Sequence, residues 1–373
     1  MVATTAANVW DTTTQTFHGG QEHRYLNNFV EDFSVTTNYL GTPKKALQAA
    51  HDALDDILHY PAADQEPAKT ALAQFLWPTG YETHRTRLLL GNGASELIDL
   101  VVRKALQNAY KRGVQQPTWK PRWAAQYKEY ERSAVTNGFQ VLKSTSTERA
   151  DLVCIVNPCN PTGDYASVEL LKNWIRENVV AGGSVIIDES MQPWLSAEFR
   201  DDSLISQHDF LREMYEEQQV SVHIMHSWTK LWSCPGIRTG SVVCPTEQHC
   251  QDLKKIQVPW SVNGPALKFM EQVVRDEEYL QRTWETTTAL RAYVIEQLQS
   301  LNHQWEYEGE KFLSWVWVKM ESPEQAARAV DLARDAGVPV RSGKPGYACD
   351  SHVRVAVREQ DKVQILVTAW KQL

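Results

Sequence analysis

Lys230 lies three residues after Ser227 and eight before Arg238, in Ser227-Trp-Thr-Lys230-Leu-Trp-Ser-Cys-Pro-Gly236-Ile-Arg238-Thr-Gly240. The stretch follows Val220–Ser227, an apolar, β-branched run that reads as a buried strand. A lysine there is stripped of water, which lowers its pKa and frees the amine to attack a carbonyl. The Ser227 hydroxyl and the Arg238 guanidinium suit a phosphate. Gly236 and Gly240 let backbone approach closely. Taken alone, the motif is better explained by a solvated loop lysine.

Three further groups stand at similar places. Asn157-Pro-Cys-Asn160-Pro-Thr-Gly163 follows the strand Asp151–Val156 and leaves the Asn160 amide free to donate to a phenolate-like oxygen. A plain Pro-rich turn is the alternative. Asp188 ends the strand Ser184–Asp188; a buried carboxylate needs a cationic or donor partner, and a protonated pyridine nitrogen is one. Capping of the next turn is the alternative. Gly91-Asn-Gly93-Ala94-Ser95-Glu96 joins a strand to an amphipathic helix, whose first N–H groups can bind phosphate. Glu96 excludes the dinucleotide fingerprint G-x-G-x-x-G.

The elements that must carry these groups alternate. Strands are expected at Arg87–Leu90, Asp151–Val156, Ser184–Asp188, Val220–Ser227 and Ser241–Cys244. Helices are expected after Gly93, where Leu97, Val101 and Ala105 recur, and at Ser167–Val179 and Pro265–Arg275. This is an α/β pattern with a mostly parallel sheet. Past Asn263 the character changes: a long helix Asp276–Leu301, a strand Phe312–Lys319, a helix Pro323–Ala336, a strand His352–Val357 and a last helix near Glu359–Trp370. These read as a smaller α+β domain in which Trp315 and Trp317 pack one strand face. Gln115–Tyr127, rich in Pro and Trp, reads as a loop insertion, with Trp119-Lys-Pro-Arg-Trp123 on its surface.

Composition narrows the function classes. The chain has 373 residues, enough for a large core, and a net charge of −8 from 38 basic and 46 acidic residues. No basic block invites nucleic acid or an anionic membrane. No apolar run approaches the ~18 residues of a membrane span. The six cysteines are too few for a disulfide framework, and Cys244 and Cys250 read as buried thiols rather than metal ligands; no metal site is expected. MVATTAANVW lacks the pattern of a signal peptide, so a reducing, cytoplasmic compartment is expected.

In order and placement the four groups resemble the class I/II aminotransferase family of fold-type-I, pyridoxal-phosphate enzymes. The likeness is greatest to its histidinol-phosphate aminotransferase and threonine-phosphate decarboxylase branches. His18-Gly-Gly20, Asp32-Phe-Ser34, Asn38-x-Leu-Gly41, Tyr60-Pro61, Val258-Pro-Trp-Ser-Val-Asn263 and Val353-Arg-Val-Ala-Val-Arg358 extend it over nearly the whole chain. The resemblance implies an aspartate-aminotransferase-like fold: an N-terminal arm with part of the small domain (1–50), a large cofactor-binding domain (51–265), and a linking helix with the rest of the small domain (266–373). It implies a homodimer acting on a small-molecule substrate, an α-amino acid, through an external aldimine, with pyridoxal 5'-phosphate as cofactor. Lys230 would bond the cofactor and move the α-carbon proton, Asp188 would pair with the ring nitrogen, and Asn160 with the ring oxygen. Ala94, Ser95, Ser227 and Arg238 would hold the phosphate, joined by Tyr60 from the second subunit. Tyr127 would stack on the ring, with Trp119 as its rival. Arg354 and Arg341 would hold the substrate carboxylate. His18, Gly20, Glu22 and Asn38 belong to the arm that meets the substrate side chain. A transcription factor on this fold is disfavoured, because fewer than ~60 residues precede the large domain, below the usual domain range.

Two departures bear on the reaction. Met191 stands where transaminases of the group carry a tyrosine, as the decarboxylase branch also lacks it. That ranks decarboxylation, or elimination with ring closure, above amino transfer. Glu22 beside His18-Gly-Gly20 would repel an anionic tail, which points to a polar or cationic, arginine-like one.

Overall fold

The computed structural model describes residues 18–373. The N-terminal stretch scanned for a signal peptide lies outside them. Seven strands form the principal sheet: β1 (Leu88–Asn92), β2 (Thr118–Pro121), β3 (Gln140–Val141), β4 (Ala150–Val156), β5 (Val179–Asp188), β6 (Ser221–Ser227) and β7 (Thr239–Val243). Their order is β1-β7-β6-β5-β4-β2-β3. The sheet is parallel from β6 to β3, while β7 runs antiparallel to both β1 and β6. Every residue of β4 is buried, as helices on both faces require of Ala-Asp-Leu-Val-Cys-Ile-Val. The chain is thus α/β.

The helix Gly93–Lys111 lies along the sheet with Leu97, Ile98, Val101, Val102 and Ala105 buried, the stripe read from the sequence. The other expected elements appear with ends moved by a few residues, as at Glu277–Gln299, whose start is capped by Asp276 accepting the Tyr279 N–H at 3.1 Å. The largest extension is in β5, which reaches back to Val179 through Gly182 and Gly183.

Gln115–Tyr127 is not a loop insertion. It holds β2, between β4 and β3. Trp119 is buried there and donates from Nε1 to Cys154 Sγ at 3.0 Å, which removes it as a rival to Tyr127. Lys120 is buried as well, its ammonium bonded to the Ser146 and Glu148 carbonyls and the Asn178 side chain. The strand is short and contains a lysine and a proline, so no alternation marks it.

A second, antiparallel sheet contains β8 (Glu306–Glu308), β9 (Trp315–Lys319), β10 (Arg341–Ser342) and β11 (His352–Ala356), in the order β10-β11-β9-β8. The N-terminal segment joins it: Phe33 bridges to Val340 and accepts the Ala356 N–H. Val316 and Val318 face the core of this sheet. Trp315 instead belongs to the core of the principal sheet, while Trp317 stacks on His352 at 5.1 Å. Among the described residues no helix is long and apolar enough to cross a membrane.

Candidate active site

β6 delivers Lys230. The strand ends at Ser227 and turns into the short helix Trp228–Leu231, seated on the buried indoles of Trp228 and Trp232. Lys230 Nζ donates to Thr229 Oγ1 at 3.1 Å, and that hydroxyl lies 2.9 Å from Ser227 Oγ. Burial pulls the ammonium down to about 8, helped by the positive charges of Arg238 and Arg354. A useful fraction of the amine is therefore neutral and nucleophilic near neutral pH.

β5 delivers Asp188 to the same cavity. Its Oδ1 accepts the Ser190 N–H at 2.9 Å and its Oδ2 the Tyr130 hydroxyl at 2.8 Å. Burial raises its pKa, against the pull of these donors and of Lys230. Glu189 turns the other way, to Ser203 and the Leu204 N–H.

Asn160 follows β4 in a loop with cis peptides before Pro158 and Pro161. The Asn157 side chain ties the loop to Ala166 through both its amide atoms, at 2.9 and 2.8 Å. Trp315 Nε1 donates to Pro161 O at 2.8 Å. Gly163, at φ +83, lies so close to Gly309 that an added Cβ would stand 2.4 Å from the Gly309 Cα. From β11, Arg354 donates to Asn160 Oδ1 and to Ser34 O. Burial holds its guanidinium down at about 10.

The opposite end of the cavity is built for an anion. The helix Gly93–Lys111 begins there, and the N–H groups of its first turn, including Ala94 and Ser95, have no intrahelical acceptor. Gly93 has a φ of +73, which favours glycine, and a Cβ there would fall 2.2 Å from Arg238 Nη2 and push the guanidinium aside. A Cβ on Gly240 would fall 2.4 Å from the Ala94 nitrogen. These contacts lay β7 against the helix start and aim Arg238 at it. Tyr127 forms part of the cavity wall, its phenol kept protonated by burial.

The cavity thus gathers Ala94, Ser95, Tyr127, Asn160, Asp188, Ser227, Lys230 and Arg238, with Thr36, Val156, Ser190, Met191 and Thr229. Arg354 joins through Asn160, and Arg341 lies opposite Arg354 in the β10–β11 pair. His18 stands at the rim, its ring 5.5 Å from Tyr127 and its Nε2 2.9 Å from Glu129 Oε1. Burial raises the Glu129 carboxyl, but hydrogen bonds from His18 and Arg132 hold it below its ordinary value. Gly20 donates to Ser34 Oγ at 3.0 Å.

Two residues, Glu22 and Tyr60, are placed away from the cavity, and the Asn38 side chain turns from it. Glu22 pairs with Arg334 at 2.9 Å, away from the cavity, because a half-exposed carboxylate takes the nearest cation. Asn38 lies against the lysine turn, its N–H donating to Lys230 O at 3.0 Å, while its side chain points away and donates to Thr283 Oγ1 at 2.7 Å. Tyr60 lies on the outer surface, stacked on Trp260 at 4.3 Å. Sequence reasoning missed Thr229, Ser190, Thr36 and the bond from Tyr130. Tyr130, three residues after Tyr127, carried a signal of helical spacing; Thr36 carried none. Cys244 and Cys250 are buried thiols. Among the described residues no group of three or more His, Cys, Asp or Glu side chains could hold a metal ion.

The donor set fits pyridoxal 5'-phosphate. A buried carboxylate, a buried amine of lowered pKa and a helix start beside an arginine match its ring nitrogen, its aldehyde and its phosphate. The family model for aminotransferase class I and II matches residues 30–369. The histidinol-phosphate aminotransferase of Moorella thermoacetica is 24% identical over 350 residues, covering 90% of this chain and 83% of that protein. In structure, the chain resembles the Sinorhizobium meliloti histidinol-phosphate aminotransferase in complex with pyridoxal-5'-phosphate, with a TM-score of 0.77 at 17% identity over 99% of this chain and 98% of that one. It also resembles the L-threonine-O-3-phosphate decarboxylase of Porphyromonas gingivalis, with a TM-score of 0.73 at 15% identity over 92% and 99%. A match across so much of the chain places this protein in the class I and II aminotransferase family, whose members are enzymes dependent on pyridoxal 5'-phosphate.

Proposed function

We propose that this chain transforms an α-amino acid at its α-carbon, with Lys230 as the residue that bonds the cofactor and then moves the proton. The observation that carries this reading is the buried Lys230 amine, lowered to about 8, in one cavity with Asp188. When bound, pyridoxal 5'-phosphate supplies the electron sink for the α-carbon. Asp188 pairs with its ring nitrogen and Asn160 with its ring oxygen. Ala94, Ser95, Ser227 and Arg238 take its phosphate, and Tyr127 covers its ring. Arg354, beside Arg341, takes the substrate carboxylate by a two-pronged contact. Thr229 holds the Lys230 amine in place.

The working unit is a homodimer in the cytoplasm. Ile57, Leu58, Tyr60 and Val258 are each more than two-thirds exposed, and Ile57, Tyr60 and Trp260 line one surface groove, exposed apolar surface of the kind that marks an interface. Tyr60 would then reach the phosphate of the second copy's cofactor.

For the outcome, a lyase-type step is favoured by Met191, which lines the cavity three residues after Asp188 without a hydroxyl. The cationic, arginine-like tail loses its support, since Glu22 is held by Arg334. His18 and its Glu129 partner stand at the rim instead and suit a polar tail. Amino transfer is the second reading, supported by the names of the histidinol-phosphate aminotransferase relatives. The test incubates the holoenzyme with phosphothreonine, histidinol phosphate, arginine, lysine and their hydroxylated forms, with and without a keto acid. Release of CO2 or ammonia without a keto acid supports the lyase; strict dependence on the keto acid overturns it. No change in the cofactor spectrum with any amino acid overturns the α-carbon reading itself.

A further inference from the structure

We propose that Tyr130 is a positioning residue for the cofactor: its phenol fixes the Asp188 carboxylate as an anion toward the ring nitrogen. The inference rests on the assignment of Asp188 to that nitrogen.

Tyr130 is fully buried, and its hydroxyl donates to Asp188 Oδ2 at 2.8 Å. The ring is packed among Trp119, Cys154, Leu97 and Phe139 in the core between the helix Gly93–Lys111 and the sheet. The helix that carries it, Glu129–Thr136, is held from outside by two further bonds. Glu129 takes His18, and Arg132 takes Asp99 of the helix Gly93–Lys111. The phenol therefore arrives from a fixed direction. On the carboxylate, the Ser190 N–H occupies Oδ1 and the Tyr130 hydroxyl occupies Oδ2. A carboxylate offers about four acceptor positions. Both oxygens are thus met from the protein side, where the Ser190 hydroxyl also favours the anion, and Asp188 borders the cavity, where a ring N–H can be met.

The protein donors from Ser190 and Tyr130 are neutral, so none cancels the charge of Asp188. They lower its proton affinity instead. A proton shared between ring nitrogen and Asp188 then stays on the ring. With the phenol removed, the carboxylate becomes more basic, draws that proton to itself, and leaves the ring a poorer sink. No bond other than the one to hydrogen changes in this exchange. A purely structural tyrosine would affect folding but not the position of that proton.

The experiment uses the holoenzyme and titrates the absorbance of the lysine-linked cofactor with pH. A ring that has lost its proton withdraws less charge from the lysine linkage, so in Tyr130→Phe the midpoint rises. Turnover falls tenfold or more while KM changes little. Site-specific 3,5-difluorotyrosine at position 130, a stronger donor of the same shape, moves the midpoint the opposite way and serves if Tyr130→Phe folds poorly. Asp188→Asn also moves the midpoint, and Tyr130→Phe added to it has no further effect. If Asp188→Asn shifts the midpoint and neither Tyr130 variant does, the role of Tyr130 is overturned. If Asp188→Asn leaves the midpoint unmoved, the assignment of Asp188 to the ring nitrogen falls, and this inference with it.

Discussion

Arg354 of β11 donates a hydrogen bond to the side chain of Asn160, a residue of the loop after β4, so that two different sheets meet at one contact in the cavity. The arm joins them there, because the same guanidinium also holds Ser34 O. Under the roles proposed for these two residues, placement of the substrate carboxylate and of the cofactor ring oxygen is one arrangement rather than two.

Arg354→Ala is expected to raise KM for the amino acid while the lysine-linked cofactor spectrum stays close to that of the parent. Losing hydrogen bonds to a charged partner costs about 1.5–3 kcal/mol, roughly ten- to a hundredfold. Arg354→Lys recovers only part of this, since an ammonium cannot form the two-pronged contact. Steady-state kinetics with a spectral titration of the cofactor tests both. Collapse of cofactor binding with unchanged KM would remove Arg354 from the substrate side.

Lys230→Ala is expected to bind the cofactor only non-covalently, so that borohydride followed by mass spectrometry fixes nothing to the chain. In the parent, attack on the aldehyde needs the neutral amine, whose pKa lies at about 8. The rate of cofactor uptake by the apoprotein should therefore rise with pH through about 8 and level off above it. An uptake rate still rising steeply up to the ordinary lysine range would contradict the lowered value.

Gly240→Ala should harm the phosphate end without removing any polar side chain. The new Cβ would stand 2.4 Å from the Ala94 backbone nitrogen, where neither neighbour is a flexible side chain. Overpacking of this kind costs about 1–3 kcal/mol. A thermal melt lowered by a few degrees and a weaker dissociation constant for pyridoxal 5'-phosphate are expected; parental values in both would show that β7 and the helix start can part freely.

Leu58→Glu is expected to turn a dimer into a monomer in analytical ultracentrifugation and to weaken cofactor retention, because Tyr60 of the second copy is lost with the interface. A parent chain that sediments as a monomer at micromolar concentration would reject the assembly.

Buried parallel strands with chemistry at their carboxyl ends are legible in sequence, and this is why Lys230, Asp188 and Asn160 could be found before any contact was known. What surrounds them was less so. Thr229 beside Lys230 and Ser190 beyond Asp188 are ordinary polar residues until a backbone turn aims them. Tyr130 reaches Asp188 across 58 positions of chain. Glu22 was misjudged because its cation, Arg334, lies 312 residues away. The strand β2 was hidden because Lys120, an unlikely core residue, finds three acceptors inside the fold.

Gly163 and Gly309 touch backbone to backbone, with Trp315 bonded to the same loop nearby. For anyone randomising this protein to change its substrate, the pair is a hidden boundary condition. Neither residue borders the cavity, so both would enter a library as harmless positions behind its wall. Yet one methyl group at Gly163 would wedge the Asn160 loop away from the β8–β9 connection, and a variant lost that way would be misread as a failure of the pocket design.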